Sequence, residues 1–171
     1  MGMTEIIDWL RAKAHGFNRL SNAEVNAISG FSLLWSLFEA RILNTDGSTR
    51  AICDVVDVWQ NAGTLDAQFL DPELAYFRQR YFANGAFTDH FDHLRLQNNN
   101  QEALVRAVID GSNNDPRDHV VTVLIIVYRY RNNLFHGVKW QYKLADQLGN
   151  FTIANAVLMK VLDEYGALGQ G

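Results

Sequence analysis

Apolar residues recur at steps of three and four along much of the chain, the period of a helix that buries one face. After Ser21-Asn22-Ala23-Glu24 come Val25, Ile28, Phe31, Leu34, Trp35, Phe38 and Ile42, a single stripe on a helix ending near Leu43. Ser21 and Glu24 have the spacing of a capping box, in which the serine accepts from a backbone N–H and the glutamate reaches back. Similar patterns predict helices over residues 4–14, 49–61, 73–83, 101–110 and 144–165, with Asn- and Gly-rich connections such as Asn84-Gly85, Asn98-Asn99-Asn100 and Gly111-Ser112-Asn113-Asn114. Both prolines follow an aspartate, at Asp71-Pro72 and Asp115-Pro116. An aspartate N-cap with proline in the first helical position is a start signal, because the N–H that proline lacks has no partner there anyway.

Residues 120–128 cut across this pattern. Val120-Val121-Thr122-Val123-Leu124-Ile125-Ile126-Val127-Tyr128 is mostly β-branched, and propensity alone favours a buried strand. The Asp-Pro start before it, Asp118 in the place of a capping-box acid, and the lack of a second convincing strand predict a helix instead. It runs from Pro116 to about Phe135 and stops before Gly137. A helix that is apolar on nearly every side belongs at the centre of a bundle. The expectation is therefore an all-α helical bundle in a single domain spanning residues 1–171, with no internal repeat and no break in composition.

Composition narrows the functional classes. With 48% apolar and 20% charged residues the chain can bury a core and is not compositionally disordered. Cys53 is the one cysteine, which excludes an intramolecular disulfide framework and a cysteine-based zinc site and points to a reducing compartment, the cytoplasm. The net charge of −4 argues against indiscriminate coating of nucleic acid but leaves room for a local basic site. No myristoylation, secretion or membrane-spanning pattern is present, so no membrane partner is expected.

That local basic site lies in residues 128–143. Arg129, Arg131, Lys139 and Lys143 occur there without an acid, interleaved with Tyr128, Tyr130, Phe135, Trp140 and Tyr142. One reading is a focused positive surface with rings on which bases stack; the other is a set of core aromatics beside cations that meet a helix C-terminal dipole. Asn132 and His136 are four apart and share a helix face. Arg131 and His136 are five apart, a rotation of about 140° from the 3.6-residue turn, so the arginine must swing round to meet them.

Arg131-Asn132-Asn133-Leu134-Phe135-His136-Gly137 resembles the R-x4-6-H motif of the HEPN superfamily, including the polar residue after the arginine. The aromatic-rich, glutamate-bearing segment Phe31 to Ala40 is similar to a helix of those bundles, and the resemblance covers residues 21–43 and 116–165. It implies a HEPN-type bundle with additional helices, usually a homodimer, and a metal-independent endoribonuclease that needs no cofactor. Arg131, Asn132 and His136 are then the catalytic set, with Arg129, Tyr130, Lys139, Trp140 and Lys143 as RNA-binding residues. RNA supplies its own nucleophile, the 2′-OH. An imidazole moves protons, worth ~10²–10⁴-fold in rate, and a guanidinium holds the phosphate. The expected products carry a 2′,3′-cyclic phosphate and a 5′-hydroxyl. The resemblance further implies a toxin or phage-defence role, with a nucleotidyltransferase antitoxin as partner. It also admits non-catalytic bundles that bind RNA, a nucleotide or a protein.

Three other features stand out. Asp89-His90-Phe91-Asp92-His93 places two histidines three apart, a pattern that serves a metal or simply a polar surface. Glu39 sits on an otherwise apolar helix and calls for a cationic partner, with Arg131 or Arg129 as candidates. Cys53 lies among Ile52, Val55 and Val56 and packs as a small apolar residue.

Overall fold

Every long apolar stripe of the sequence has become a helix. The computed structural model describes residues 2–66, 68–137 and 147–169. Among these residues are eight α-helices: α1 (Met3–Lys13), α2 (Asn22–Arg41), α3 (Thr49–Asn61), α4 (Asp71–Tyr81), α5 (Asp89–Asp92), α6 (Glu102–Ile109), α7 (Pro116–Phe135) and α8 (Leu148–Tyr165). A small antiparallel hairpin joins β1 (Phe82–Ala83) to β2 (Ala86–Phe87). No helix among the described residues is long and apolar enough to cross a membrane.

The β-branched stretch forms the middle of α7, with every residue from 120 to 127 buried. α3 and α6 pack on α7, α4 and α8 also touch it, and α2 lies along α8. A helix satisfies its own backbone hydrogen bonds, and with packing partners on several sides α7 needs no neighbouring strand. Burial then outweighs the modest helix penalty of β-branched residues, since each fully buried valine or isoleucine contributes about 1.5–3 kcal/mol. The start is fixed as expected. Asp115 caps α7, its carboxylate accepting from the N–H groups of Arg117 (2.9 Å) and Asp118 (3.3 Å), and Pro116 is the first helical residue. Arg117 then ties α7 to α3 through a 2.8 Å ion pair with Asp57.

The Ser21–Glu24 capping box is present at the start of α2, and α3 spans the predicted residues. Other boundaries move. Asp71 is not an N-cap: α4 begins with Asp71 itself after Leu70, whose buried side chain anchors the turn but offers no capping oxygen. α4 also ends at Tyr81 instead of residue 83, because Asn84 and Gly85, at φ +52° and +76°, turn the chain into the hairpin. Two left-handed residues in succession favour the turn type that joins short strands, and Phe82 faces Phe87 across it. α8 begins at Leu148 with Gln147 as its N-cap. The first part of the predicted 144–165 helix lies outside the described residues.

Candidate functional site at the carboxyl end of α7

The last turn of α7 carries the motif that the sequence singled out. Arg131 is partly buried, Asn132 and Asn133 are buried, and Phe135 and His136 are exposed. His136 is the C-cap: its backbone N–H donates to the Asn132 carbonyl at 2.9 Å, and Gly137, at φ +71°, ends the helix.

Three neighbours hold the Arg131 guanidinium. Its Nη1 donates to Asn132 Oδ1 at 3.0 Å, its Nη2 lies 3.8 Å from Glu39 Oε2, and its centre sits 5.4 Å from the Phe135 ring. Its Nε is buried and has no hydrogen-bond partner among the described residues. The guanidinium therefore turns towards Glu39 on α2 and meets Asn132, whereas the expected swing of Arg131 to the His136 imidazole is not seen among the described residues. No hydrogen bond joins the His136 imidazole to Arg131 among the described residues. What the two share is the helix end, with the backbone of Asn132 between them.

Glu39 is positioned from two sides. Trp35, one turn earlier on α2, donates its indole N–H to Glu39 Oε2 at 2.6 Å. The loop after α2 turns through Asn44 and Thr45, at φ +49° and +66°, and brings Gly47 against the carboxylate. A Cβ at Gly47 would stand 2.8 Å from Glu39 Oε1, so a side chain there would have to displace the carboxylate that Trp35 holds. Of the two candidate partners for Glu39, Arg131 is the one in contact. Arg129 instead donates to the Leu94 carbonyl at 2.9 Å, and burial pulls its pKa below the usual arginine value.

The expected RNA-binding residues divide. Tyr130 is a correction: it is 3% exposed, its ring packs near Phe77 and Phe151, and its hydroxyl bonds that of Tyr81, so it offers no face to a base. It faces inward because α4 and α8 cover that side of α7. Tyr128 packs against Trp35 and is half-buried. Asn132, expected to orient His136 or meet a phosphate oxygen, is buried and spends its Oδ1 on Arg131. Lys139, Trp140 and Lys143 lie outside the described residues.

His90 and His93 are exposed on the one-turn helix α5 and at its C-cap, with ring centroids 6.2 Å apart. No group of three or more His, Cys, Asp or Glu suited to a metal is found among the described residues. Both histidines line a small polar cavity together with Arg80, Tyr81, Tyr130 and Asn133, a grouping the sequence did not announce. Residues 80, 93 and 133 come from separate elements, and only the tertiary fold brings them together. Cys53 is partly buried on α3, and burial pushes its thiol up.

Comparison of the chain with known families, characterised proteins and solved structures finds no match.

Proposed function

We propose that the chain is a metal-independent endoribonuclease of the HEPN type, acting as a homodimer through the carboxyl ends of two α7 helices. The observation that carries this reading is the state of the motif. Arg131 is held in place by Glu39 and Asn132, while His136 stands exposed at the cap of the same helix. In the reaction the RNA 2′-OH attacks the adjacent phosphorus. The O2′–P bond forms and the P–O5′ bond breaks, leaving a 2′,3′-cyclic phosphate and a 5′-hydroxyl. His136 of one protomer takes the 2′-OH proton, and the same residue of the second protomer protonates the leaving oxygen. Arg131 meets the negative charge that grows on the non-bridging oxygens. Asn132 acts as a positioning residue, because it is buried and bound to Arg131.

Residues 128–143, with four cations and no acid, supply a local field suited to RNA on an otherwise acidic chain. The overall charge of −4 fits selection of particular loops rather than bulk RNA. A toxin or phage-defence role in the cytoplasm, restrained by a nucleotidyltransferase antitoxin, follows from the resemblance and belongs to this proposal.

One observation favours a second reading. The Arg131 guanidinium already has a carboxylate, an amide and a ring around it, which is also how a structural arginine is held. The alternative is a non-catalytic bundle that binds RNA, a nucleotide or a protein. Incubating the protein with structured RNA in excess EDTA separates the two. The proposal expects cleavage that falls at least ~100-fold in His136→Ala and in Arg131→Ala while the circular-dichroism spectrum is unchanged. RNA binding without product, equal in wild type and His136→Ala, would establish the alternative.

A further inference from the structure

A polar cavity opens beside α7, on the side away from Glu39, between the end of α4, the α5 turn and the start of α8. Its volume is about 30 Å³, and it is partly open to solvent. Space of that size admits one or two water-sized groups and not a nucleobase. We propose that it is a binding site for one phosphoryl oxyanion, which inserts its oxygens while the rest of the ligand stays outside. This assignment stands apart from the nuclease reading and uses none of Arg131, Asn132 or His136.

The argument is a count of donors and acceptors. Tyr81 and Tyr130 are 1% and 3% exposed, and their hydroxyls bond each other. Burial pushes both phenols well above their ordinary pKa, so both keep their protons. Two hydroxyls carry two protons, and their mutual bond uses one, so the other needs an acceptor. Arg80 brings a permanent positive charge, and its Nε is buried without a hydrogen-bond partner among the described residues. The amide oxygen of Asn150 is already engaged, accepting from the Tyr76 hydroxyl at 3.1 Å. Asn150 Nδ2 donates to Gln147 Oε1 at 2.8 Å and Asn133 Nδ2 donates to the His93 carbonyl at 3.1 Å, each amide keeping a second hydrogen. No Asp or Glu is among the described lining residues.

Among the described residues the wall thus has donors to spare, a cation and no opposing carboxylate. Buried donors without acceptors are costly, and an oxyanion answers several at once where a single water has only two lone pairs to offer. A phosphoryl group has the size and the charge. Free phosphate, the terminal phosphate of a nucleotide and a polynucleotide phosphodiester share this chemistry.

The test titrates the full-length chain with inorganic phosphate against chloride at matched ionic strength, read by calorimetry and by the side-chain amide resonances of Asn133 and Asn150. Saturable binding that shifts both amides is expected. It should weaken about tenfold or more in Arg80→Gln, the loss of a charge-assisted bond. A 5′-phosphorylated dinucleotide and its unphosphorylated form distinguish the sources. Tighter binding of the phosphorylated form assigns a terminal phosphate, equal binding of the two a phosphodiester, and binding of inorganic phosphate alone the free ion. No saturable binding of any probe, or binding that leaves both amide resonances unmoved, would overturn the proposal even if Arg80→Gln failed to fold.

Discussion

Arg131 shows how one long side chain is fixed by small local choices. The indole N–H of Trp35 holds Glu39, the missing side chain of Gly47 leaves its carboxylate room, and Glu39 with Asn132 holds the guanidinium. Glu39→Ala leaves a buried indole donor and an arginine without its counter-charge, so a loss of about 1–3 kcal/mol in urea unfolding is expected. Glu39→Gln keeps an acceptor for Trp35 and should cost no more than about 1 kcal/mol, because the ion pair is partly exposed. Equal losses in the two variants would show that the charge, and not the hydrogen bond, dominates.

The Tyr81–Tyr130 pair makes a different prediction at the same scale. Both phenols are raised above their unfolded value, chiefly by burial, so the unfolded chain releases its protons first as pH rises. Stability from these groups is therefore fully present below about pH 10 and is lost above it, at about 1.4 kcal/mol per pH unit for each tyrosine. Unfolding free energies measured from pH 8 to 11 should stay level from these groups to about pH 10 and fall along this slope above it. In Tyr130→Phe the slope should roughly halve, and an unchanged slope would contradict the assignment.

Among the elements, α7 was legible because its signals agreed at both ends. Asp115-Pro116 set the start, Gly137 set the end, and the absence of a partner strand decided the middle against β-propensity. Asp115→Ala should lower stability by about 1 kcal/mol, read as a lower urea midpoint at an unchanged m-value. An unaffected midpoint would mean that packing alone sets the helix start. The α4 boundary was less legible for a physical reason. The Asp71-Pro72 pair fits either the cap or the first turn, and the burial of Leu70, the residue that takes the cap position, is a property of the tertiary fold. The hairpin escaped because two-residue strands are too short to show a period, although Asn84-Gly85 carries its turn signal. The Glu39–Arg131 pair was legible as an acid on an apolar stripe, but Tyr130 was not, since its place beside bases or in the core depended on whether α4 and α8 covered it.

For the molecule as a whole, the helices that bury residues 120–127 hold α7 rigidly, so its exposed end is presented on a fixed support. In the proposed reaction His136, five residues past the guanidinium, would gain from that support, because rate depends on fixed geometry. The same core places the polar cavity on another face of α7, so Arg80→Gln is expected to weaken the proposed phosphate binding without touching the proposed site at His136. The most direct measurement of the central assignment is the chemistry of the ends left on a defined RNA in excess EDTA. Attack by the RNA's own 2′-OH, assisted by Arg131 and His136, leaves 2′,3′-cyclic phosphate and 5′-hydroxyl ends, and these are expected. Intact RNA, or products ending in a 3′-hydroxyl as attack by water would leave them, would contradict it.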